Sequence, residues 1–182
     1  SYRPDGVGEF SAIREVYAAH VAELAPLVDL FLCETMSTAL EARAAAEAAA
    51  ASGKPVWVSW TISDTTPGQL RSGETLAEAG AALDGVPVAA LLVNCASPEA
   101  VSAAMPHLAR LGRPFGGFAN GFSQIPEGWR LSDGISALGE RRDLTPGVYA
   151  RHATDWIGAG ASIVGGCCAV GPAHIAAISA GL

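Results

Sequence analysis

Three cysteines carry the first chemical hint. Cys95 closes the run "PVAALLVNC", and Cys167 and Cys168 stand side by side after Gly165 and Gly166. Thiolates are soft ligands, and three of them make a face for Zn²⁺ that leaves the fourth tetrahedral position open, the arrangement of a catalytic ion rather than a structural one. Neighbouring side chains of a regular strand point to opposite faces, so Cys167 and Cys168 can share one ion only if the chain bends as it passes the two glycines. Spacing alone fits equally well a pair of small buried apolar residues. Four cysteines, two of them adjacent and two far off, make a poor disulfide framework. Cys33 is expected to pack in the core.

Residues so far apart in sequence meet only if a regular scaffold brings them together. Five apolar runs supply one: "LVDLFLCET" (27–35), "PVWVSWT" (55–61), "PVAALLVNC" (87–95), "PFGGFAN" (114–120) and "ASIVGGCC" (161–168). None alternates with polar residues, which predicts strands buried on both faces, as in a parallel sheet. Helical patterns lie between them with legible starts. Thr38 with Glu41 and Thr75 with Glu78 fit capping boxes, while Ser97-Pro98 and Thr145-Pro146 place a cap before a first-turn proline. Gly53, Gly85, Gly112 and Gly158 stand where those helices should stop, and residues 8–25 read as one more helix before the first strand.

Strand and helix alternating at this spacing build βαβ units, either in a doubly wound sheet or in a TIM barrel. No G-x-G-x-x-G opens a helix, so dinucleotide binding has no support. In a βα barrel the C-terminal rim of the strands carries the chemistry, and the five runs end in Glu34, Thr61, Cys95, Asn120 and Cys167-Cys168. Asn94 and Asn120 are read as ties for loop backbone. Residues 121–145, rich in Gly, Pro, Ser and charge, read as a long rim loop, either a lid or a surface insertion.

Composition sets outer limits. At 182 residues, half hydrophobic and 16% charged, the chain suits one domain with a sizeable core. A formal charge of −7 without a basic cluster argues against a nucleic-acid partner. The longest apolar runs fall short of a membrane span, and the N-terminus shows no secretion signal, so the cytoplasm is the expected compartment.

The blocks "LVDLFLCETMSTALEARAAAEA", "KPVWVSWT", "LLVNCASPE" and "GAGASIVGGCCAVGPAHI", in this order, resemble the homocysteine S-methyltransferase family over about residues 2–182. The resemblance implies a TIM (β/α)8 barrel to which this chain supplies the last five βα units. Residues 1–182 would then be a single homocysteine-binding barrel domain, incomplete at its N-terminus. It implies Zn²⁺ held by Cys95, Cys167 and Cys168, with the substrate amino group bound by Glu34, a residue whose carboxylate could instead serve a helix N-terminus. Where the family commonly has Gly-Thr-x-Pro after the cysteine pair, this chain has "AVGP" at 169–172.

The implied activity moves a methyl group from a sulfonium donor, S-methylmethionine or S-adenosylmethionine, to the homocysteine thiolate, forming methionine. Betaine and methylated folate remain alternative donors within the family. A reading of another class is a non-catalytic zinc-binding partial barrel that needs a partner chain. Trp60 and Trp129 could hold a cationic donor by cation-π contact, but tryptophans of a barrel equally serve packing.

Overall fold

A computed structural model of the protein describes residues 3–123, 129, 132, 134 and 138–182. The five apolar runs form one parallel sheet in sequential order: β1 (Phe31–Met36), β2 (Val56–Thr61), β3 (Ala90–Asn94), β4 (Phe115–Ala119) and β5 (Ile163–Gly166). Helices α1 (Phe10–Leu24), α2 (Ala39–Ala50), α3 (Leu76–Ala81), α4 (Pro98–Ala109), α5 (Pro146–Gly158) and α6 (Pro172–Ala180) alternate with them. This is five consecutive βα units of a TIM barrel, as the sequence predicts.

The helix starts show why the chain folds this way locally. Thr38, Thr75, Ser97 and Thr145 each accept a hydrogen bond from the backbone N–H three residues on, satisfying a donor the helix leaves orphaned. Thr75 and Glu78 complete a reciprocal box, whereas the Glu41 carboxylate turns instead to the backbone N–H and hydroxyl of Ser37. Gly53, Gly85 and Gly112 follow their helices with left-handed backbones, but Gly158 remains helical and Gly160 (φ 101°) makes the stop.

Two faces of the sheet carry different company. Phe31, Val56, Val58, Trp60, Leu91, Val93 and Phe115 join the principal core beneath the helices, and the alanine-rich α2 packs closely there through Ala42, Ala45, Ala46 and Ala49. On the opposite face Ala90, Leu92 and Phe118 cluster with Trp57, Ile163 and Cys167. That second face is the inner one of a βα barrel.

Trp60 is fully buried in the helix-side core, and Trp129 is buried beside Phe122 and Leu138, so packing accounts for both. Of the 121–145 segment, residues 124–128, 130, 131, 133 and 135–137, and the lid reading with them, lie outside the described residues. Its described end is tied down by Arg141, whose guanidinium bonds Glu99 at 2.7 and 2.8 Å and Asp143 at 2.7 Å. No helix among the described residues is long and apolar enough to cross a membrane.

Candidate metal centre

Parallel strands deliver their C-terminal ends to one rim, and three of these ends carry an unusual backbone. Thr35 (φ 60°), Cys95 (φ 53°) and Ala169 (φ 60°) all adopt the left-handed region without being glycine. Each costs roughly 1–2 kcal/mol, so surrounding contacts must hold it.

At β1 the holding group is Asn94. Cys33 pairs with Val58 and Met36 with Trp60, so two residues of β1, Glu34 and Thr35, stand opposite the single Ser59 of β2 and form a bulge. The buried Asn94 amide oxygen accepts from the Thr35 N–H (3.3 Å) and the Ser59 hydroxyl (2.8 Å), and its amide nitrogen donates to the Thr35 hydroxyl (2.7 Å). One side chain thus joins the ends of three strands. Glu34, beside it, is exposed and has no hydrogen-bond or ion-pair partner among the described residues.

At β5 the two glycines do not make the expected bend. Both remain in the strand with φ outside the left-handed region, and the turn comes after them at Cys168 and Ala169. Gly166 is needed for close approach, because a β-carbon there would overlap the Val170 side chain. The departure from the family pattern has a visible consequence: Ala169 takes the left-handed position that a glycine would fill without strain.

Tyr149 of α5 reaches in between β4 and β5. Its hydroxyl accepts from the Ala119 N–H (3.0 Å) and lies 2.8 Å from the Gly165 carbonyl oxygen, so the phenol relays a bond between the two strands just below the cysteines. Burial raises the Tyr149 pKa well above the ordinary phenol value, which keeps this donor protonated.

The result is a cluster. The sulfurs of Cys95, Cys167 and Cys168 all lie within 4.8 Å of one another, with Cys167 and Cys168 3.9 Å apart. Cys95 is buried, Cys167 half-buried and Cys168 exposed, so the group opens toward solvent on one side. The Cys167 thiol is pushed far up, first by its hydrogen bond to Cys95 and then by burial; Cys168 is raised by burial and by the neighbouring Cys95. Three soft donors held this close together are a set whose protons a divalent cation displaces. The donor chemistry fits a metal.

Cys33 stands apart. It packs against the principal core, and burial alone pushes its thiol up to about 12, which leaves it inert.

Asn120 accepts from the Phe122 N–H at 3.1 Å, a loop tie as expected, while its buried amide nitrogen has no partner among the described residues.

A sequence model described as homocysteine S-methyltransferase matches residues 2–182. The chain belongs to this family. It is 32% identical over 159 residues to a homocysteine S-methyltransferase of Escherichia coli K12, covering 84% of this chain and 47% of that protein. It is 30% identical over 158 residues to homocysteine S-methyltransferase 4 of Zea mays, covering 83% and 43%. The metallated crystal form of the Escherichia coli homocysteine methyltransferase MmuM superposes with a TM-score of 0.77 at 30% identity, covering all of this chain and 55% of that one. The chain thus spans about half the length of these family members.

Of the residues singled out from sequence, the structure brings Cys95, Cys167 and Cys168 together and places Glu34 at the same rim. Sequence reasoning missed the Asn94 clamp, the Tyr149 relay and the role of Arg71 described below. All three act through partners 7 to 59 positions away, and no local motif marks such pairs.

Proposed function

We propose that this chain forms the metal-holding part of a zinc-dependent homocysteine S-methyltransferase. Cys95, Cys167 and Cys168 hold Zn²⁺, and Glu34 binds the ammonium group of homocysteine. The observation that carries the reading is the meeting of three thiols within 4.8 Å at the C-terminal rim of a βα sheet. A tetrahedral site with Zn–S bonds of about 2.3 Å has edges of about 3.8 Å, close to the 3.9 Å between Cys167 and Cys168. Residues 1–182 belong, on this reading, to one homocysteine-binding barrel domain working in the cytoplasm.

Bound Zn²⁺ supplies a Lewis acid that lowers the pKa of the substrate thiol. As thiolates, the three cysteines would bring more negative charge than a divalent ion neutralises, so a substrate sulfur bound beside them would keep more electron density than a harder ligand set would leave it. Glu34 anchors the substrate through a charge-assisted hydrogen bond and limits the positions its thiol can take. The inner-face cluster of Leu92, Phe118 and Trp57, against which Cys167 packs, keeps water from that side of the sulfurs.

The reaction itself is an in-line displacement. Homocysteine sulfur bonds to the methyl carbon while the carbon–sulfur bond of the donor, S-methylmethionine or S-adenosylmethionine, breaks and leaves its electron pair on the donor sulfur. The thiol proton goes to solvent, and the products are methionine and an uncharged thioether. Incubating the protein with methyl-labelled donors tests the reading. Label is expected in methionine from one of the two sulfonium compounds. Transfer only from betaine or a methylated folate would reassign the donor, and transfer from none would refute the activity.

Glu34→Ala should raise the KM for homocysteine by about 1 to 3 kcal/mol, the worth of a charge-assisted hydrogen bond, with less effect on kcat. Steady-state kinetics at varied homocysteine would show it, and an unchanged KM would remove Glu34 from the binding site.

A further inference from the structure

Cys95 is held in its left-handed conformation by a group from outside its own strand. The loop after β2 carries Arg71, whose side chain is only 14% exposed. Its Nε donates to the Thr61 hydroxyl at 3.0 Å, and its Nη2 donates both to the carbonyl oxygen of Cys95 (3.2 Å) and to Asp64 Oδ2 (3.2 Å). The Thr61 hydroxyl in turn points at the same Cys95 carbonyl, 3.5 Å away. Asp64, 8% exposed, accepts through Oδ1 from the Ser97 N–H at 2.7 Å, and Ser97 caps α4. One guanidinium therefore ties the end of β2, the end of β3 and the start of α4 around the peptide of a single cysteine.

We propose that Arg71 is a positioning residue for the metal centre, holding the Cys95 peptide, with Asp64 and Thr61, in the conformation that turns its thiol toward Cys167 and Cys168. The fork geometry explains why arginine stands here. It reaches a hydroxyl, a carbonyl and a carboxylate at once, which the single ammonium of lysine does not. The proposal rests on the metal reading of the cluster.

Cobalt substitution tests both and keeps them apart. Thiolate-to-Co²⁺ charge-transfer bands and the visible d–d bands are recorded for the unaltered chain and for Arg71→Met, Arg71→Lys and Asp64→Asn. Zinc affinity is measured alongside by chelator competition, and thermal melting of each metal-free protein monitors folding. Arg71→Met is expected to lower zinc affinity about 10- to 100-fold, the usual cost of losing an outer-shell partner, and to shift the d–d bands. Arg71→Lys should recover part of that loss, and Asp64→Asn should show a smaller one. Wild-type affinity and spectrum in Arg71→Met would overturn the proposal. Should Arg71→Met fail to fold, wild-type values in both Arg71→Lys and Asp64→Asn would overturn it equally. Absence of thiolate bands in the unaltered chain would refute the metal reading, and this inference with it.

Discussion

Replacing Cys95, Cys167 or Cys168 singly by alanine is expected to weaken zinc binding by more than ~100-fold and to abolish methyl transfer. Loss of an outer-shell partner alone costs roughly 10- to 100-fold, and removing a ligand should exceed it. The three thiols are not equivalent in the fold. Cys95 is buried, so its replacement also removes packing, whereas Cys168 is exposed and its loss should leave metal-free stability nearly unchanged. Cys168→Ala is therefore the cleanest probe. Metal content after dialysis, measured with the melting temperature of the metal-free protein, separates the two effects, and a variant that keeps both zinc and transfer would remove its cysteine from the site. Cys33→Ala serves as the control: it should cost stability through lost core packing and leave zinc stoichiometry untouched.

Gly116→Ala should destabilise the chain by about 3 kcal/mol or more, at the upper end for overpacking. Gly116 faces Ile163 across the β4–β5 ladder, and a β-carbon there would overlap the Ile163 carbonyl group. The obstacle is backbone, so no rotamer change relieves it and β5 must move. Because β5 leads directly to Cys167 and Cys168, zinc affinity should fall with stability. Gly165→Ala makes the contrast, since its β-carbon would meet the Phe118 β-carbon at an ordinary 3.5 Å. It should cost less than ~1 kcal/mol. Urea denaturation of the two variants decides the matter, and similar midpoints would mean that β4 and β5 separate more easily than their ladder implies.

Much of the scaffold was legible before any coordinates. Apolar runs without alternation read as strands covered on both faces, which holds for β2, β3 and β4 but not for β1, where Leu32 and Glu34 are exposed, or for β5, which has no fully buried residue. Thr75-Glu78, Ser97-Pro98 and Thr145-Pro146 mark helix starts by local chemistry that needs no distant partner. The rim residues followed, because parallel strands place all their C-terminal ends together. Glycine positions were read less well. Gly158 looked like a stop and is helical, because Gly160 satisfies the helix end two residues later. Gly165 and Gly166 looked like a bend and are strand, because their small size serves close packing and the turn falls on Ala169.

Residue type and spacing alone determined the five βα units and put Glu34, Cys95, Cys167 and Cys168 at strand ends, since each follows from periodicity, while the ligand set and the role of Glu34 came from the family resemblance. Only the tertiary structure decided that those thiols meet within 4.8 Å, that Glu34 sits in a bulge, and that Asn94, Arg71 and Tyr149 hold the strand ends. Convergence and positioning depend on register and on hydrogen bonds between strands, which join residues that no local pattern connects.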